Sequence, residues 1–388
     1  MTVTVGVGIS DDLDTVAAFD EAGAAARAQL GSSGCDLCLV FAGAPHLGHG
    51  VELLAAVRAQ LAPRVLIGCG AGGVVGGGRE IEEGAGAVVW ALSAPDAAIQ
   101  PLALKTAAVD EGIALGGLPD DPADYGDAML VLADPNSFAA EALLVHLNEE
   151  RPEMPVLGGL VSAAAPGMGA IFLNEDVLES GAVACTLSGI ELLPCVSQGA
   201  APVGPEMTVT AVNDNMIAEL ASKPALERLR EAISELEPAE RELAGEGLLL
   251  GVVIDENQPD YERGDFLVRP IVGVDPDSGA LAFADRVRVG QTVRLHVRDS
   301  RSASADLREA LATRARALGG EPPAGALVFT CNGRGAHMFG RPDHDAAVVD
   351  EVFGAPAGGF FCAGEIGPVG GRNFLHGFTA TMAVFPRR

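Results

Sequence analysis

The sequence predicts a mixed α/β protein, α+β in detail. Repeated strand–helix–strand–strand units fill an N-terminal domain, and a second, smaller α+β domain follows. Three observations carry this. Short apolar runs of strand length alternate with stretches of helical period. One such unit occurs three times, each time with a loop of small residues after its second strand. The core residues are chiefly Ala, Val and Leu, with one Trp (Trp90) and two Tyr (Tyr125, Tyr261). A length of 388 residues exceeds one ordinary core, so two domains are expected, 1–224 and 225–388.

The elements follow in order. Thr2–Ser10 alternates as a strand, and Leu13–Leu30 has Ala-rich helical spacing that ends at Gly31. The first copy opens with the strand 36–42 and continues through a glycine-containing loop (43–50), a helix (51–61) and a second strand (65–68). The small-residue loop 69–78 and a closing strand at 86–92 complete it. The second copy has a strand at 127–133, a turn at Asp134–Ser137 that caps a helix through Glu150, and a strand at 156–160. After the small-residue run 161–169, residues 170–173 and 182–187 read as a hairpin. The third copy opens at Ala326–Thr330. Its long loop, 331–342, precedes a helix at 343–353, a strand at 360–363, a loop at 364–371 and a closing strand at 374–385.

Between copies two and three, 224–243 is helical and charged. Strands are expected at 248–254, 267–273, 281–284 and 292–298, and a helix at 304–318.

Charge excludes several function classes. The formal net charge is −28, from 53 acidic and 25 basic residues. Such a surface repels phosphate backbones and anionic lipid, so neither nucleic acid nor a membrane is expected as a partner. The first residues show no basic and apolar leader, and no run of about 18 apolar residues suggests a spanning helix. Seven cysteines, an odd number in strand-like patterns, read as reduced thiols of a cytoplasmic protein.

The glycine run Cys69–Gly78 follows a strand but ends without the Lys-Ser/Thr pair of a phosphate loop. The acidic segment after it enters another strand, so no helix N-terminus is offered to a pyrophosphate. Serine-hydrolase and zinc-protease signatures are absent. Cys331, His337, His344, Cys362 and His376 lie in the loops of copy three, but without paired zinc spacing, so no metal is expected.

The third copy carries the richest pattern. Cys331-Asn332-Gly333-Arg334-Gly335 leaves one strand, and Cys362-Ala363-Gly364-Glu365 leaves the next. Loops at the carboxyl ends of adjacent parallel strands converge on one crevice. Arg334 would offer a planar fork to a carboxylate, and Glu365 would pair with an ammonium. The same two residues would equally make a structural ion pair with each other. The expected ligand-binding set is Cys331, Asn332, Arg334, Gly335, Cys362, Gly364, Glu365 and His376. None is assigned a catalytic role.

At these residues the chain resembles the FIST family. The matching segments are 331–335, Phe339-Gly340, 359–367 and His376 before Thr379, with weaker matches at 36–41, 66–72 and 128–134. The resemblance implies a bacterial, intracellular sensory module for a small ligand, amino acids among the candidates. No stretch beyond the two FIST-like regions reads as an output domain, so the expectation is either signalling through a separate protein or a stand-alone ligand-binding protein. Some members resemble haem-based nitric-oxide sensors. No cofactor is expected otherwise; on that alternative reading haem would be bound without covalent attachment, with His376 or His337 as the iron ligand. A third reading is a cysteine-dependent enzyme with Cys331 or Cys362 as nucleophile and His337 or His376 as base.

Overall fold

The computed structural model describes residues 3–110, 112–163, 170–261 and 264–387. Thr2 of the first strand and residues 164–169 of the small-residue run fall outside them. The chain forms two compact units. The first comprises Met1–Val196, Leu307–Leu375 and Thr379–Arg388; the second comprises Ser197–Asp306 and His376–Phe378. The architecture is mixed α and β, as the sequence predicts.

The three copies, apart from His376–Phe378 of the third, lie in the first unit and share one strand plan. The opening and second strands are parallel in each copy: Leu37–Gly43 with Val65–Ala71, Ala128–Ala133 with Val156–Leu160, and Gly325–Cys331 with Ala357–Cys362. The closing strands Ala87–Ser93, Ala182–Ser188 and Thr379–Phe385 return antiparallel beside the opening ones. A parallel pair needs a crossover, and the helices Gly50–Leu61, Ala140–Glu150 and His344–Phe353 supply it. Each buries an aliphatic stripe, for example Leu53, Leu54, Val57 and Leu61 in the first. The N-terminal helix Thr15–Leu30 is capped by Asp14, which accepts from the Ala17 amide at 2.9 Å, and buries Phe19 and three alanines.

Register makes the plan stricter. Val40 faces Gly68, Val131 faces Gly158 and Val328 faces Gly359 across the three parallel pairs. A Cβ at these glycines would stand 2.4, 1.8 and 1.7 Å from the facing valine's carbonyl oxygen. No side chain fits there, so one backbone contact is repeated in all three copies.

The segments after the second strands differ from the loops the sequence predicts. Residues 74–76 are a strand that joins the sheet of copy three, antiparallel to Ala357–Cys362. Ile171–Leu173 joins copy one at Val65–Ala71. Glu365–Val369 joins copy two at Val156–Leu160. Each copy thus lends a strand to another, in a closed cycle. The expected hairpin of 170–173 with 182–187 does not form. Ile171–Leu173 turns back on Asp176–Leu178 instead, while Ala182–Ser188 lies in another sheet between Ala128–Ala133 and Ala98–Val109. The Asp134 side chain closes a local turn on Asn136 and Ser137, and the helix begins later, after Ala139.

The second unit is a seven-stranded antiparallel sheet. Its order is Ala200–Asn213, Thr292–Arg298, Leu248–Val253, Phe266–Val274, Leu281–Phe283, Met216–Leu220 and Lys223–Pro224. The helical stretch expected at 224–243 is two helices, Ala225–Glu235 and Pro238–Glu246. Leu236 is extended and Pro238 has no N–H to continue the ladder, while Glu237 and Glu240 form a capping box that starts the second helix.

Candidate functional site

The third copy's two parallel strands end level, with Cys331 and Cys362 as Cα partners. Both following loops therefore leave from the same edge. The first folds back at once: the Arg334 amide donates to the Cys331 carbonyl at 2.8 Å, and the Asn332 amide donates to the Cys362 carbonyl at 2.9 Å. The turn sends the Arg334 side chain inward, where it is 1% exposed.

The guanidinium of Arg334 is held by Asp345, not by Glu365. Its Nε and Nη2 donate to the two carboxylate oxygens at 2.7 and 2.8 Å. Thr330 donates to the same carboxylate at 2.7 Å, and His344 Nδ1 lies 2.9 Å from it. Burial alone would raise the Asp345 pKa, but the Arg334 charge and these bonds hold it well below the usual carboxylate range. Phe339 covers the group: its ring stacks on His344 at 3.5 Å and lies 5.2 Å from the Arg334 guanidinium carbon.

Glu365 is fully buried. Its Oε2 accepts from the Thr379 amide at 3.1 Å and from the Thr379 hydroxyl at 2.8 Å. Burial pushes its carboxyl up to about 8, against Thr379, the Cys331 thiol that hydrogen-bonds to it, and the Arg334 charge. The same Cys331 also acts electrostatically on Arg334, so the thiol belongs to the surroundings of both charged groups.

Two buried polar atoms of this cluster stand out. Arg334 Nη1 and Glu365 Oε1 have no nitrogen or oxygen partner among the described residues. Nη1 is a donor; Oε1 is an acceptor when the carboxyl is ionised and carries the proton when it is not, since Oε2 accepts both Thr379 bonds. Unmatched buried polar atoms of this kind are uncommon and costly.

The remaining expected residues take different places. Asn332 is exposed, with its Oδ1 3.5 Å from where a Gly72 Cβ would be. Gly335 and Gly364 are buried backbone positions. Cys362 is fully buried beneath Gly159, where a Cβ would stand 2.4 Å from its sulfur, and burial raises its thiol well above the ordinary range. His376 is buried and belongs to the second compact unit. Among the described residues no three His, Cys, Asp or Glu side chains form a metal-binding group. His344 is committed to Asp345 and Phe339. His337 is exposed on a four-residue helix, which does not fit an enclosed haem ligand.

Several residues of the site were not singled out in the sequence. Asp345 is an acid in the first turn of a helix, a common position that carries no special signal. Glu80 and Glu82 come from copy one. Glu82 accepts from the Ala336 amide at 2.8 and 3.0 Å, next to Gly335. Glu80 accepts from the Ala346 amide at 2.9 Å, while the Glu80 amide donates to Asp343 at 2.6 Å. Burial is the largest cause raising Glu80, to about 7, with Asp345, Glu82 and Asp343 adding to it. The two carboxylates thus fasten the residues that follow Arg334 and Asp345. Ser162 of copy two accepts from the Gly72 amide at 2.8 Å and donates to the Phe361 carbonyl. All three copies therefore meet at these loops.

Comparison with known proteins decides the family. The FIST N domain model matches residues 36–223 and the FIST C domain model matches 225–368. The chain belongs to the FIST family. An uncharacterized protein of Mycobacterium tuberculosis strain H37Rv is 42% identical over 383 residues, covering 98% of this chain and 99% of its own. An uncharacterized protein of Mycobacterium bovis is 40% identical over 383 residues, covering 98% of each chain. FIST domains are regarded as sensory domains for small ligands. No helix among the described residues is long and apolar enough to cross a membrane.

Proposed function

We propose that this FIST protein is a receptor for a small polar ligand, of amino-acid size, bound at the strand ends of copy three between Arg334 and Glu365. The observation that carries the reading is the pair of unmatched buried atoms, Arg334 Nη1 and Glu365 Oε1. A ligand with one acceptor and one donor would satisfy both: a carboxylate at Nη1, worth about 1.5–3 kcal/mol as a bond to a charged group, and an ammonium at Oε1, whose charge would favour the ionised form of the otherwise protonated Glu365. The Arg334 fork is already filled by Asp345, so the ligand's acceptor would meet a single N–H rather than a bidentate clamp. Cys331 and Cys362 would form part of the wall, with Asn332 at the exposed mouth. Cytoplasmic signalling through a separate protein belongs to the same proposal.

A thermal-shift screen of free amino acids and small carboxylates tests it. A ligand at about a hundredfold excess over its dissociation constant stabilises by about 2.7 kcal/mol. The shift is expected to vanish in Glu365→Gln and to shrink in Arg334→Lys, which retains charge but loses the fork geometry. An equal shift in wild type and both variants would place the ligand elsewhere.

A further inference from the structure

We propose that the groove between the strand Gly112–Gly116 and the helix Ala140–Glu150 docks an extended, basic and apolar peptide segment of a partner protein, which adds to the sheet as a further strand. Among the described residues the strand Gly112–Gly116 ends a seven-stranded sheet and pairs only with Ala98–Val109. The outer edge of such a strand presents a row of backbone donors and acceptors. Edges are usually guarded by Lys, Pro or a bulge. The sequence Gly-Ile-Ala-Leu-Gly carries no Lys or Pro, and its ladder to the neighbouring strand runs without a register shift.

The groove beside this edge has a volume of about 820 Å³, within the usual range of ligand and peptide sites of about 300–1,000 Å³. Leu115, Leu118 and Tyr125 contribute to its lining. Ile113 is 48% exposed and Val145 is 57% exposed on either side of it, one from the strand and one from the helix. Ile113 and Leu115 are two residues apart and so share a face of the sheet. An edge strand flanked by a helix is the geometry in which an added strand takes main-chain bonds from the edge and seats alternate side chains against the helix.

Charge selects the partner. Among the described residues Asp120 and Glu149 line the groove, and neither Lys nor Arg does. Two further titratable groups there, Tyr125 and His146, hydrogen-bond to each other at 3.1 Å. A basic segment would be drawn in, whereas a second copy of this chain, at a net charge of −28, would be repelled.

The test uses the full chain and fluorescence anisotropy. The probes are synthetic peptides that alternate Lys or Arg with Val, Ile or Leu, and counterparts with Glu in place of every basic residue. The basic peptides are expected to bind, more weakly as salt rises. Ile113→Lys and Val145→Lys, both at exposed positions, are expected to weaken binding by about tenfold or more with the unfolding midpoint unchanged. The proposal is overturned if the basic peptides bind no better than their acidic counterparts, or if both variants bind as wild type does. Concentration-dependent dimers abolished by the same two variants would assign the groove to a second copy and overturn it equally.

Discussion

Glu365 makes stability depend on pH in a direction opposite to that of most surface carboxylates. Its ordinary value of 4.5 is raised to about 8 in the fold. The folded state therefore holds a proton that the unfolded chain releases above about pH 4.5. The stabilisation is fully present below that value and is lost as pH rises towards 8. At about 1.36 kcal/mol per unit, a shift of this size is on the order of 5 kcal/mol over the whole window. Between pH 5.5 and 8.5 the calculated loss is roughly 3 kcal/mol. Glu365→Gln keeps the shape and an acceptor for Thr379 but cannot ionise. Urea unfolding followed by Trp90, the single tryptophan, reports on the right unit, because Trp90 is buried in the first unit with Glu365. The stability of wild type minus that of Glu365→Gln should fall by roughly 3 kcal/mol from pH 5.5 to 8.5. Glu80 titrates in both proteins and largely cancels in the difference. A difference that stays flat, or rises with pH, would refute a buried, protonated Glu365.

Three further outcomes follow from the packing. Asp345→Asn leaves the Arg334 guanidinium buried without its counter-charge and should cost about 3–5 kcal/mol in urea unfolding. Asp11→Asn, which breaks an exposed pair with Arg79 at 3.4 Å, should cost less than about 1 kcal/mol. Gly359→Ala forces a Cβ to 1.7 Å from the Val328 carbonyl oxygen and must part the strands. It should cost about 4 kcal/mol or more, whereas Gly48→Ala, with nothing within 4 Å, should stay within about 0.5 kcal/mol in the same assay. Cys185, fully buried and pushed up to about 12, and Cys362 should react with iodoacetamide only on unfolding, as read by mass spectrometry of the alkylated peptides.

The sequence made the repeating plan legible because apolar strand runs and amphipathic helices are local patterns. Leu39-Val40-Phe41 and Leu327-Val328-Phe329 are visible as text. Their facing glycines, Gly68 and Gly359, become meaningful only once the register pairs them. The exchange of strands among copies was hidden, because residues 74–76 and Glu365–Val369 have partners far away in the chain and look like glycine-broken loops. The site was legible in part. Arg334 and Glu365 stood out as charges placed after apolar strands. Asp345 did not, because an acid near a helix start is ordinary, and the long-range choice of Arg334 for Asp345 over Glu365 is written in no local spacing. Glu80 and Glu82 reach the site from more than 250 positions away, at sequence separations of 266 and 254 to their amide partners.

The most direct measurement of the central claim is calorimetric titration of the ligand found in the thermal screen into wild type, Glu365→Gln and Arg334→Lys. The account predicts one site per chain in wild type, with affinity reduced about tenfold or more in each variant while each remains folded by Trp90 fluorescence. Unchanged affinity in both folded variants would contradict it.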